Sequence, residues 1–421
     1  MWRIRAVPGW PCYKNHGRPK NFFQPARKEA HRLQEPQTRQ AGPDLVVARK
    51  EGLYCVPGQF YIDPWRPVER AIITHAHADH ARVGHGGYLA AEAGAGILKS
   101  RLGDIPLDTL PWGKTTRHNG VGISFHPAGH VLGSAQVRLE YRGEVWVASG
   151  DYKLEPDATC APFEPVRCHT FITESTFGLP IYRWRPQQEI FDDINAWWRA
   201  NANAGRASVL FCYAFGKAQR ILSGVDPAIG AVFCHGAVEP LNRVYRDSGV
   251  LLAPTRLVSE VTDRTEFSRA LILAPPSAGG STWMRRFGDY SDAFASGWMQ
   301  LRGARRRRAV DRGFVLSDHA DWPGLMQAID ATGAQRVIVT HGQVAVMVRW
   351  LRQKGLDAGA FETHYGEEDD LPPAETGNAS ATSGVAVTDP PAVSAAKTEA
   401  ADGEAGPVTG AQTGKDGVAD A

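Results

Sequence analysis

Apolar residues come in short bursts through the middle of the chain, and glycine, proline or a polar cluster closes each burst. Such runs predict strands over Ala71–Thr74, Gly122–His126, Ala135–Tyr141, Val145–Ala148, Thr170–Thr173, Val209–Cys212, Leu271–Leu273, Gly313–Leu316 and Val337–Thr340. Apolar positions that recur at helical spacing predict helices over Gln187–Ala200, Lys217–Leu222, Glu239–Arg246, Trp322–Ala331 and Val344–Lys354. Strands mixed with helices in this way predict an α/β or α+β body. No internal repeat of fixed period is visible.

The pattern stops at both ends. Residues 1–43 are rich in Arg, Gln and Pro and lack an apolar period, so they read as a flexible basic extension. Residues 367–421 are Ala, Gly, Thr, Pro and acid, too poor in apolar side chains to offset their ordering entropy, and read as a disordered acidic tail. The charge is polarised accordingly. Residues 1–43 hold nine Lys/Arg and two Glu, and residues 366–421 hold eleven Asp/Glu and two Lys, in a chain whose net charge is +2. The body between is mildly basic, which permits a polyanionic partner. With 421 residues, 43% hydrophobic and 22% charged, the chain has the means for two or three packed domains. That composition excludes a wholly disordered chain, a coiled coil or a collagen. No apolar run approaches the ~18 residues of a spanning helix, and no secretory signal is expected from the first twenty residues. The six cysteines form no CxxC pair, the pattern of reduced thiols in a cytoplasmic protein.

The chemistry concentrates in Ile72-Ile73-Thr74-His75-Ala76-His77-Ala78-Asp79-His80. An apolar strand runs out into four metal-capable side chains, His75, His77, Asp79 and His80. Imidazole and carboxylate suit zinc and related metals. A lone His in such a loop would be a solvated polar residue; four so closely packed after a buried strand point to ligation. His130, Asp151 and His341 follow the same design of apolar run, metal-capable side chain and turn. Open α/β architectures collect their sites at such strand ends.

This order of residues resembles the metallo-β-lactamase superfamily. The resemblance implies an αββα sandwich with two divalent metal ions, zinc or alternatively manganese. One would be held by His75, His77, His130 and Asp151, and the other by Asp79, His80, His341 and the shared Asp151. A hydroxide between the metals would be the nucleophile. Two further segments, Phe171-Ile172-Thr173-Glu174 and Ser317-Asp318-His319-Ala320-Asp321, resemble the extra motifs of the β-CASP nucleases, and Tyr213-Ala214-Phe215-Gly216-Lys217-Ala218-Gln219-Arg220 resembles a turn of that group's inserted cap. The implied catalytic residues are Asp79, Glu174 and His319. His319 would protonate the leaving oxygen and Glu174 would orient it. The implied domains are a metallo-β-lactamase domain in two parts, 44–179 and 306–366, around a β-CASP-like α/β cap at 180–305.

From about Gly52 to Gly366 the chain is similar to the bacterial ligase-associated DNA exonucleases. Gly52-Leu53-Tyr54-Cys55, Ile62-Asp63-Pro64, Phe177-Gly178-Leu179-Pro180 and Phe294-Ala295-Ser296-Gly297-Trp298-Met299 carry the likeness. It implies a DNA-repair nuclease that works beside a DNA ligase and a helicase, without a membrane. His341 pulls the other way, because eukaryotic DNA-cutting relatives have Val at the matching position and RNA-processing ones keep His. An RNA 3′-end processing or decay nuclease is therefore the second reading. A small-ester or thioester hydrolase is the third, and a binding protein on an inactive scaffold the fourth. Lys217, Arg285, Arg286 and the run Arg305, Arg306, Arg307 and Arg308 are the candidate phosphate contacts. Solvated charge is the plain alternative for that run.

Overall fold

The predicted strands and helices form close to their expected bounds and are joined by shorter strands that the apolar pattern did not reveal. The computed structural model describes residues 44–365. The expected basic extension (1–43) and acidic tail (367–421) lie outside these residues.

The first sheet follows chain order: β1 (Val46–Arg49), β2 (Gly52–Cys55), β3 (Phe60–Ile62), β4 (Arg70–Ile73), β5 (Gly87–Ala91) and β6 (Leu107–Leu110). Helix α1 (Ala95–Leu102) joins the last two strands. β1 to β3 pair antiparallel and β3 to β6 parallel. The second sheet begins with the antiparallel strands β7 (Thr115–His118), β8 (Val121–Pro127), β9 (Ala135–Tyr141) and β10 (Glu144–Ala148), and β10 then pairs parallel with β11 (Thr170–Ser175).

After β11 the chain builds a third sheet before it returns. Helix α2 (Gln187–Asn203) leads to β12 (Ala207–Phe211), α3 (Lys217–Gly224), β13 (Val232–Cys234), α4 (Glu239–Asp247) and β14 (Arg256–Leu257). β15 (Leu271–Ala274), β16 (Tyr290–Ala295), α5 (Arg302–Arg308) and β17 (Arg312–Phe314) complete it. Every pairing here is parallel, in the order β14-β13-β15-β12-β16-β17. The expected end of the cap at 305 falls inside α5, and β17 beyond it still pairs with β16. The chain then forms α6 (Trp322–Thr332), β18 (Arg336–Gly342), α7 (Val344–Gln353) and β19 (Asp357–Ala360), with β18 laid parallel against β11.

Burial explains the layering. Leu53, Phe60, Ile62 and Ile72 of the first sheet share one apolar cluster with Val121, Ile123, Val137, Leu139 and Ile172 of the second, so the two sheets pack face to face. The outer face of the second sheet (Val147, Phe171, Val337, Val339) is covered by Leu325 and Ile329 of α6 and by Met347 and Leu351 of α7. Ile97 and Leu98 of α1 cover Ile73 and Ala90 on the outer face of the first. Strands buried on both faces read as continuous apolar runs, which is why β4, β12 and β15 stand out in the sequence. The short strands β1, β6, β7 and β19 are partly exposed and carry no such run. Among the described residues no helix is long and apolar enough to cross a membrane, and the five cysteines are buried.

Candidate metal centre

Seven side chains from four separated segments meet at one end of the two packed sheets. Buried β4 delivers His75, His77, Asp79 and His80 from the loop that follows it, and His130 comes from the loop between β8 and β9. Asp151 follows β10, and His341 is the penultimate residue of β18. Gly342 fixes that last position. It adopts φ +84°, and a Cβ there would lie 2.4 Å from the Ser175 carbonyl. The Ser175 hydroxyl donates to the His341 carbonyl at 2.5 Å.

Asp151 is the hub. Its Oδ2 lies 3.4 Å from His75 Nε2, 3.4 Å from His80 Nε2 and 3.9 Å from His130 Nε2, and its Oδ1 lies 3.3 Å from His341 Nε2. His77 Nδ1 lies 3.1 Å from His75 Nε2 and 3.0 Å from His130 Nε2. One ligand atom from each of His75, His77, His130 and Asp151 falls within 4.8 Å of the rest, and the same holds for His80, Asp151 and His341. Asp79 reaches the second group through Oδ2, 3.5 Å from His80 Nε2.

The outer hydrogen bonds decide what these nitrogens offer. His130 Nδ1 lies 2.8 Å from the Asp318 carbonyl, which can only accept, so Nδ1 carries the proton and Nε2 a lone pair. Asp63 Oδ2 likewise accepts from His80 Nδ1 at 2.8 Å. The Thr74 hydroxyl donates to Asp63 at 2.5 Å, leaving an oxygen lone pair to accept from His75 Nδ1 at 3.0 Å. Thr340 repeats the device, donating to the Thr173 carbonyl at 3.2 Å and accepting from His341 Nδ1 at 3.0 Å. His77 is turned the other way, with Nε2 3.4 Å from the Phe215 carbonyl. Five imidazole lone pairs therefore point inward at a carboxylate. His80 Nε2 and Asp151 Oδ1 are buried and make no hydrogen bond among the described residues. Converging lone pairs repel one another unless a cation lies between them, so this donor set fits two divalent metal ions.

The electrostatics divide the rings. Burial holds His75 and His130 well below the ordinary imidazole value, in the neutral form that ligates. Burial opposes charge on His80, yet Asp151 and Asp79 outweigh it and raise that ring. Burial likewise opposes charge on Asp151, but His80, His341 and His75 keep its carboxyl well below the ordinary range.

Beside this cluster stands a second pair. Glu174 occupies an irregularity in the β11–β18 register, of the kind that re-aims a side chain. Both its oxygens lie within 3.0 Å of His319 Nδ1, and Oε1 also accepts from the Tyr152 amide at 2.8 Å. Glu174 and His319 are both buried, and the His319 ring centroid is 4.6 Å from that of His130. One ligand-capable atom each of Asp151, Glu174 and His319 falls within 4.8 Å. A carboxylate on Nδ1 stabilises the charged imidazole and directs Nε2 elsewhere.

The candidate phosphate contacts fare differently. Lys217 is buried at 1% exposure and its ammonium pairs with Asp318 Oδ2 at 3.0 Å. Lysine has that fate here because α3 packs its first turn against the centre, and sequence registers charge without burial. The arginine run folds as α5, with Arg305, Arg306 and Arg307 exposed and Arg308 over the Phe294 ring at 4.4 Å. Arg285 is exposed, and Arg286 lies over the Trp283 ring at 5.7 Å. A cleft of about 840 Å3 opens beside the metal-capable cluster, lined by His77 and Asp79 but by none of these arginines.

Two supporting residues were not singled out in the sequence. Asp63 holds Thr74 and His80, and its only sequence signal was its place in Ile62-Asp63-Pro64. Asp318 accepts from His130 through its backbone and pairs with Lys217 and with Arg220 Nη1 at 3.2 Å through its carboxylate. Arg220 also reaches Glu155 at 3.2 Å and Asp157 at 3.6 Å, and Asp157 pairs with Lys153.

No known family model matches the chain. It is 31% identical over 329 residues to a protein of Opitutus terrae described as a probable DNA ligase, a match covering 77% of this chain and 31% of that protein. It is 30% identical over 122 residues to endoribonuclease YSH1 of Saccharomyces cerevisiae, covering 28% of this chain and 15% of that one. The third relative is cleavage and polyadenylation specificity factor subunit 3 of Dictyostelium discoideum, 29% identical over 85 residues, with 20% of this chain and 11% of that protein covered. The chain thus spans less than a third of the length of each of these relatives. The endoribonuclease matches support the metallo-β-lactamase superfamily.

Proposed function

We propose that the protein is a metal-dependent phosphodiesterase of the β-CASP type, a DNA exonuclease in ligase-associated repair. The observation that carries the reading is the Glu174–His319 pair at 2.9 Å, set directly against the lone-pair cluster around Asp151. A thioester's thiolate departs without help; a phosphodiester's alkoxide needs a proton. The helix-covered pair of sheets and the inserted parallel sheet support the αββα sandwich with a cap at about 180–305.

Two divalent cations, when bound, supply Lewis acidity and a water of lowered pKa. The chain's own residues do the rest. His75, His77, His130 and Asp151 form one donor set, and Asp79, His80, His341 and Asp151 the other. Asp63, Thr74, Thr340 and the Asp318 carbonyl hold the imidazoles in the ligating tautomer. Glu174 keeps the proton on His319 Nδ1 and favours the charged ring, whose Nε2 delivers a proton to the departing oxygen.

The likeness to a probable DNA ligase over 77% of the chain favours DNA and a setting beside a ligase; a helicase partner and a cytoplasmic location complete the proposal. The second reading, an RNA-processing nuclease, draws on His341 and on the endoribonuclease matches. End-labelled DNA and RNA of one sequence, offered to zinc- or manganese-loaded protein, separate the two. Shortening of DNA from an end with RNA untouched is expected. Cleavage of RNA alone overturns the DNA assignment, and cleavage of neither overturns the nuclease.

A further inference from the structure

The cleft at the metal centre has two walls. His77 and Asp79 form part of one, and the other is built from the carboxyl ends of parallel strands: Tyr213 follows β12, and Pro275 follows β15. Crevices at the carboxyl ends of such strands are where open α/β sheets hold ligands. At about 840 Å3 the cleft lies within the ~300–1,000 Å3 of small-ligand sites, room for a few nucleotides of one strand and not for a duplex.

Two cations with no assigned role face this space. Arg101 lies in the last turn of α1 and Arg82 is exposed on the loop after the ligand cluster. The Arg101 Nη1 atom is buried and makes no hydrogen bond among the described residues. Burial lowers its pKa, and Asp79 is the acid that offsets this. An arginine N–H held out of water without an acceptor is unfavourable alone and becomes favourable once an anion enters. The planar fork of arginine matches two phosphate oxygens. We propose that Arg101, assisted by Arg82, grips a backbone phosphate of single-stranded nucleic acid one step from the phosphodiester at the metal centre. This rests on the nuclease reading above and adds where the strand lies.

The test is binding rather than turnover. Fluorescence anisotropy with labelled oligo-dT and oligo-rU, in chelator so that no cleavage occurs, is measured across a salt series for wild type and Arg101→Gln. Expected is an affinity loss of about tenfold, and a slope of log K against log[salt] shallower by ~0.7, the share of one phosphate contact on a single strand. A single methylphosphonate linkage stepped along the oligonucleotide weakens wild type at one position and leaves Arg101→Gln indifferent. Arg101→Lys keeps the salt slope, and it carries the comparison if Arg101→Gln unfolds. An unchanged slope and affinity in Arg101→Gln, with wild type binding normally, overturns this proposal alone. Wild type that binds neither oligonucleotide overturns the nuclease reading and this proposal with it.

Discussion

Asp318→Asn removes one negative charge from a buried ionic knot while nearly keeping the side chain's shape. Asp318 is 1% exposed and faces Lys217 at 3.0 Å and Arg220 at 3.2 Å. Removing one partner of a buried pair costs about 3–5 kcal/mol, because the remaining charge stays buried. Arg220 keeps Glu155 and Asp157, and Asn still accepts a hydrogen bond, so the low end, about 3 kcal/mol, is expected. At ~2–4 °C per kcal/mol that is a fall of about 6–12 °C in Tm, read by thermal unfolding of the chelator-treated protein. The pH dependence has a definite sign. Burial would raise the Asp318 carboxyl, but Lys217, Arg220 and Lys153 outweigh it and hold it far below the ordinary range. A carboxyl depressed in the folded state stabilises fully above its unfolded value of ~3.9, and that contribution is lost as pH falls toward the folded value. The gap between wild type and Asp318→Asn therefore stays constant from neutral pH to about 5 and closes below about 4. A variant that melts with the wild type would refute the reading of Asp318 as a stabilising partner of Lys217 and Arg220.

Three other substitutions probe the centre itself. Asp151→Asn loses the shared carboxylate, so bound metal by elemental analysis and nuclease activity should vanish together; activity that survives metal loss would count against the centre. His319→Ala should keep its metal and lose turnover by ~10²–10⁴-fold, the usual share of a general acid, and full activity would remove that role. Asp63→Asn frees the His80 ring to adopt the other tautomer, and competitive chelator titration should find metal affinity lowered ~10–100-fold.

His75, His77, Asp79 and His80 were legible because they lie within one short stretch after an apolar strand, and their convergence needed only a loop. Glu174 and His319 are 145 positions apart; only their likeness to known motifs paired them in advance. Asp63 was invisible as a functional residue, since its role depends on facing His80 Nδ1. The burial of Lys217 and its pairing with Asp318 were not legible, because a basic residue beside a glycine turn reads as exposed until the packing of α3 is known. Arg101 attracted no notice, for its cleft exists only between two walls distant in the chain.

The sequence by itself determined the buried strands, the order of the metal-capable residues and the polarised charge, because burial on both faces and short-range spacing are local properties of a chain. The tertiary structure decided which ring nitrogen carries each proton, which cations are buried and paired, and which arginine faces open space. Those depend on hydrogen bonds and desolvation between segments far apart in sequence, set by how the third sheet and the helices on the outer faces close over the ends of β4, β10, β11 and β18.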